Sequence, residues 1–191
     1  MPHSLLSEPL PMRYIKSTDG DFLPFMAEDV VGMRILVAGV GNVLLGDDGL
    51  GPRLVERIRE KLPPDVEVED YGNSMIELLY DMADFDALIV VDAVSKGGKP
   101  GDIFVEEIEP GDIENIDPEK ASSLMHMSYH EADLESVLAL AKALGFLPKK
   151  VFIVGVEPEN VAVSTSLSVP VIEVLDRVER IILGIIDNLK R

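Results

Sequence analysis

Two stretches of this chain, Ile35-Leu36-Val37-Ala38 and Ala87-Leu88-Ile89-Val90-Val91, are apolar at every position. A strand with one wet face alternates polar and apolar residues. A strand apolar throughout is buried on both faces, as in a parallel sheet covered by helices. The first run ends in Gly39 and a glycine-rich turn. Residues 49–62 follow, with Leu50, Leu54, Val55 and Ile58 at helical spacing and Pro52 in the first turn, where its missing donor costs little.

The same pattern repeats downstream. Residues 66–70 alternate like a strand, and Asn73 is placed to cap a helix over 74–82. Residues 102–108 form a further strand, about eight residues after the 86–92 strand. A parallel crossover needs about a dozen residues, so this strand is expected to run antiparallel. Residues 109–129 read as an acidic and polar loop. Leu134, Val137, Leu138, Leu140, Ala141 and Leu144 mark an amphipathic helix over 130–144, stopped by Gly145. A strand over 150–156 and a last helix over 169–189 complete the chain. The expected architecture is a three-layer α/β/α sandwich on a mostly parallel five-stranded sheet with one antiparallel strand. It forms a single α/β domain over 33–191. Residues 1–32, with Pro2, Pro9, Pro11 and Pro24 scattered through them, read as an N-terminal extension that wraps the domain or is mobile.

Charge narrows the partners. With 17 basic and 35 acidic side chains the formal net charge is −18, which disfavours nucleic acid and anionic membrane surfaces. There are no cysteines, so disulfides, thiolate nucleophiles and cysteine zinc sites are excluded. The composition fits a reducing, cytoplasmic setting. No apolar run reaches the ~18 residues of a membrane span, and no signal peptide is visible at the N-terminus.

In sheets of this kind ligands bind beyond the carboxyl ends of the strands. The turn there reads Gly39-Val40-Gly41-Asn42-Val43-Leu44-Leu45-Gly46-Asp47-Asp48-Gly49. Leu44 occupies the third glycine position of a dinucleotide fingerprint. Asp47 and Asp48 replace the lysine and hydroxyl of a phosphate-binding loop. Two carboxylates repel phosphate, so the loop suits a cation or acid chemistry; capping of the next helix is the plainer alternative. Asp92 ends the 86–92 strand on the same edge, where partial burial would raise its pKa unless a cation or donor compensates. Asp70, before Gly72, is a third carboxylate on that edge and reads best as a turn former. His130 falls in the first turn of the 130–144 helix on this reading. The helix dipole there favours neutral imidazole, the metal-binding form. A solvated or capping histidine remains the alternative, for His130 as for His126.

These pieces together resemble the hydrogenase maturation endopeptidases, which trim the C-terminal extension of nickel-iron hydrogenase large subunits. The resemblance spans 33–190. It is carried by the Gly-Asn-x-Leu-x-x-Asp-Asp/Glu-Gly element of the glycine turn, by Met75-Ile76-Glu77-Leu78-Leu79, by Ile89-Val90-Val91-Asp92-Ala93, by Ser128-Tyr129-His130 and by Gly155-Val156-Glu157-Pro158-Glu159. It implies that Asp48, Asp92 and His130 are both the catalytic and the metal-contacting residues. His126 does not align with that motif. It also implies a substrate, the nickel-loaded large-subunit precursor, whose own nickel is the recognition element, and no tightly bound cofactor. Two carboxylates and an imidazole suit a first-row divalent ion, and three ligands leave positions open for substrate groups. The rival readings are a non-catalytic assembly factor that binds the loaded precursor and a nucleotide-binding α/β domain. A general-purpose peptidase is disfavoured by the lack of H-E-x-x-H and G-x-S-x-G motifs.

Overall fold

In the computed structural model, residues 14–15, 32–125 and 133–191 are described. Four strands, β2 (Ile35–Val40), β3 (Val66–Gly72), β4 (Ala87–Ala93) and β6 (Lys150–Val156), run parallel. β5 (Ile103–Ile108) pairs antiparallel with β6 and so runs against β4, as the short link between them requires. The five strands expected from the sequence are all present. A two-residue strand, β1 (Tyr14–Ile15), joins them by pairing with Val105 and Glu106 on the outer side of β5. The order is β1-β5-β6-β4-β2-β3.

The helices are α1 (Leu50–Ile58), α2 (Met75–Asp81), α3 (Pro118–Met125), α4 (Leu134–Leu144) and α5 (Val169–Leu189). They divide between the two faces of the sheet. Ile35, Val37, Ile89, Val91, Phe152 and Val154 pack on one face against Leu54 and Ile58 of α1 and Val178, Ile182 and Ile185 of α5. Leu36, Ala38, Val40, Leu88, Val90 and Val151 pack on the other against Leu78 and Leu79 of α2 and Leu138 and Ala141 of α4. Neighbouring residues of one strand thus enter opposite cores, which is why β2 and residues 87–91 of β4 are apolar throughout. Each such Leu or Ile stabilises the fold by roughly 1.5–3 kcal/mol when fully buried.

Three local expectations need correction. α3 forms inside the stretch read as loop. Ser74, not Asn73, occupies the N-cap position of α2. α4 starts at Leu134, where the extended Asp133 caps it by accepting a hydrogen bond from the Ser136 N–H at 2.8 Å. The expected helix start at His130 lies outside the described residues, and the N-cap at Asp133 satisfies one of the free donors of the first turn of α4. The last strand and last helix fall where the sequence placed them, and Gly145 ends α4 in the left-handed conformation at φ 76°.

The chain leaves β2 in both directions, to β3 on one side and later to β4 on the other. That reversal opens a crevice at the carboxyl ends of β2 and β4, the usual ligand position in open α/β sheets. Among the described residues no helix is long and apolar enough to cross a membrane.

Candidate active site

The crevice is built by close backbone approaches that only glycine permits. α1 starts directly above β2 and β4: a Cβ on Gly51 would lie 2.3 Å from the carbonyl oxygens of both Val40 and Val91. Gly41, at φ 117°, turns the chain out of β2 and donates its N–H to the Gly72 carbonyl at 2.9 Å. A Cβ there would collide with the Asp48 carbonyl oxygen at 1.9 Å. The 42–48 loop then folds back on itself. The Asn42 side chain accepts from the Leu44 N–H at 2.9 Å, and the Asn42 N–H donates to Asp48 Oδ2 at 2.7 Å. Asp48 is thereby fixed on the crevice side of the loop, half-buried.

Asp92 lies opposite, one residue beyond the Gly39–Val91 pairing of β2 and β4. Its Oδ1 accepts from its neighbour's Ala93 N–H at 2.7 Å. Burial pushes its carboxyl up to about 7, opposed by the Ala93 hydrogen bond and reinforced by the negative charge of Asp48. The structure therefore brings Asp48 and Asp92 close enough to repel each other. A carboxyl held near neutrality by burial and a like charge marks a functional site more often than a structural one, and a bound cation would relieve both effects.

The neighbouring Asp47 points the other way. It is 1% exposed and accepts four hydrogen bonds: from the Ser168 N–H at 2.6 Å, the Ser168 hydroxyl at 2.8 Å, the Glu159 N–H at 2.9 Å and the Asn160 N–H at 3.0 Å. Burial works against its ionisation, but these donors outweigh it and hold its carboxyl below the usual range. Asp47 thus ties the glycine turn to the 159–168 loop. Backbone bonds complete the tie: Gly46 N–H to the Ser164 carbonyl at 2.8 Å, and Ser164 N–H to the Leu44 carbonyl at 2.9 Å. Of the two adjacent aspartates, one anchors and one faces the crevice. Asp70 accepts from the Gly72 N–H at 2.8 Å, the turn-forming role expected of it. Glu157, also buried, accepts from the N–H groups of Lys96 and Gly98 at 2.8 and 3.0 Å and so shapes the turn after β4.

His130 and His126 lie outside the described residues. Among the described residues no three His, Cys, Asp or Glu side chains converge as a metal-binding group. A pocket of about 550 Å³ opens alongside Asp92, floored by Val94, Ile108, Ile113, Leu138 and Ile153 and rimmed by Glu106, Asp112, Glu114, Asp133 and Glu135. Lys96 pairs with Glu106 and Lys120 with Glu114 on that rim. This pocket was not legible in the sequence, because its walls come from β4, β5, β6, α4 and the 109–117 segment.

Comparison with known proteins places these features. A family profile described as hydrogenase maturation protease matches residues 52–185, a range that contains Asp92 and begins just after Asp48. The chain is 39% identical over 149 residues to the hydrogenase 2 maturation protease of Escherichia coli K12, covering 75% of this chain and 84% of that protein. It is 35% identical over 127 residues to the hydrogenase expression/formation protein HupD of Rhodobacter capsulatus, covering 65% of this chain and 57% of that one. Against solved structures, it superposes on the hydrogenase maturating endopeptidase HybD of Escherichia coli with TM-score 0.66 and 36% identity, over 81% of this chain and 93% of that one. The hydrogenase 2 maturation peptidase of Thaumarchaeota archaeon SCGC_AB-539-E09 gives TM-score 0.62 and 35% identity, over 81% and 99%.

Proposed function

The chain belongs to the hydrogenase maturation protease family, a family of peptidases, and on that premise we propose that it removes the C-terminal extension of a nickel-loaded hydrogenase large-subunit precursor. The observation that carries this reading is the Asp48–Asp92 pair at the switch point of the sheet, with the Asp92 carboxyl held near neutral pH. The nickel is cargo of the substrate. Asp48, Asp92 and His130 would contact it when the precursor docks and so place the scissile peptide at the crevice. Hard carboxylates and a borderline imidazole match such an ion, and its charge offsets the repulsion between the two aspartates.

Hydrolysis adds water to the peptide carbonyl, breaks the C–N bond and delivers a proton to the departing amine. The ion polarises a carbonyl it touches. A carboxylate titrating near 7 is matched to taking a proton from water and returning it to the amine. Among the described residues Asp92 is the carboxylate with that property. In the chain alone burial holds Asp92 near that value, with a smaller push from the charge of Asp48, which is itself held in place by the Asn42 N–H.

The test is incubation with nickel-loaded and nickel-free precursor, followed by intact-mass measurement. Trimming of the loaded form alone is expected, and equal trimming of both would remove nickel from the account. Asp48→Asn, Asp92→Asn and His130→Ala are each expected to reduce trimming at least a hundredfold. Full activity in all three would refute the site. Retention of the loaded precursor without release of any peptide would make the chain an assembly factor instead.

A further inference from the structure

Eight large apolar side chains are strongly exposed among the described residues, and four of them stand on two loops tied to each other beside the active site. They are Val43 at 41%, Leu44 at 58%, Val161 at 54% and Val163 at 88%. A lone exposed valine needs no explanation, but a contiguous apolar surface does. Contiguity follows from the backbone. Leu45 pairs in parallel register with Ser164, which places Leu44 beside Val163. The Asp47 N–H bonds the Asn160 carbonyl at 2.9 Å, which brings Val161 up to the same turn. The stretches 42–46 and 160–168 contain no charged residue, in a chain of net charge −18.

We propose that Val43, Leu44, Val161 and Val163 form a docking surface for an apolar patch on the folded body of the precursor. The proposal rests on the reading of Asp48 and Asp92 given above. Two observations select this occupant. The patch shares a loop with the site: Val43 and Leu44 belong to the loop whose Asn42 N–H holds Asp48, so a partner seated on the patch contacts the segment that positions that carboxylate. A second copy of this chain would bring another net charge of −18 against the first, and an anionic membrane would be repelled in the same way. The loops are also rigidly presented. Gly46 at φ 59°, the buried Asp47 and the Leu45–Ser164 bridge fix both in one conformation, which lowers the entropy lost on docking.

The experiment uses the full chain, nickel-loaded precursor, and the variants Val163→Glu and Leu44→Glu. A glutamate buried against an apolar partner surface is costly, while on the free protein each stays in water. Val163→Glu is expected to raise KM for the precursor about tenfold or more and to leave kcat within about twofold, with an unchanged melting temperature. Leu44→Glu is expected to act in the same direction. An unchanged KM for both variants overturns the proposal. So does a wild type that sediments as a dimer which Val163→Glu dissociates without affecting trimming, since the occupant is then a second copy. If wild type fails to trim the precursor at all, the functional reading fails first. Direct binding then decides: loss in Val163→Glu of an affinity that wild type shows supports the surface, and equal or absent binding overturns it.

Discussion

Asp92 is stabilised poorly on its own, and that is measurable. Its carboxyl is raised to about 7, against an unfolded value near 3.8, so folding favours its protonated form. The stability it contributes is complete below the unfolded value and is lost as pH rises towards 7, at roughly 1.4 kcal/mol per pH unit across that window. Asp92→Asn is expected to abolish trimming yet melt higher than wild type at pH 8, with the two melting temperatures converging near pH 4. Parallel pH profiles would show that Asp92 is not the group responsible. Asp47 has the opposite sign. Its folded pKa is depressed, so its contribution is present above the unfolded value and lost as pH falls through the folded one. Asp47→Ala removes the buried acceptor of three part-buried N–H groups and a hydroxyl, and a loss of about 2–3 kcal/mol is expected in urea unfolding. Asp48 and Asp92 were readable from the sequence as strand-end carboxylates on one edge. The anchoring role of Asp47 was not, because its partners lie 112 to 121 residues away and local pattern carries no trace of them.

Elements with a strong periodic signal were readable to their ends, and those held by context were not. β6 and α5 match the sequence reading because an apolar run and a long amphipathic stripe each satisfy themselves locally. α3 carries little local signal because Pro118-Glu119-Lys120-Ala121-Ser122-Ser123 offers weak propensity; Ala121 packs on the α2–α4 side of the core and Lys120 pairs with Glu114. The start of α4 is set by the Asp133 cap and not by the apolar periodicity, which does not mark where the first turn begins. α1 is the element that most directly sets the site. Its second residue, Gly51, permits the contact with the ends of β2 and β4. Gly51→Ala forces that helix start away from two carbonyl oxygens. A loss of about 1–3 kcal/mol is expected, together with reduced kcat from displaced Asp48. A variant as stable and active as wild type would mean that α1 can shift without moving the loop.

At the scale of the whole molecule, the sheet edge beyond β5 is occupied by Tyr14 and Ile15, so the N-terminal extension contributes at least these two residues to the fold. We expect the chain truncated to 33–191 to unfold in one cooperative transition, within about 1–2 kcal/mol of the full chain, since both cores are built from residues within that range. An unfolded truncation product would show that the extension is integral. A truncated chain that folds but self-associates would show that β1 serves to cover an open edge.

The tie between the glycine turn and the 159–168 loop has a consequence for exchange of parts between relatives. The Asp47 carboxylate is served wholly by donors from the far end of the chain, so each loop relies on the other as well as on its own internal bonds. A chimera that transplants the turn from a relative without its companion loop inherits half of a two-piece cassette and is expected to misfold locally. Specificity should therefore travel between family members only when both pieces are grafted together.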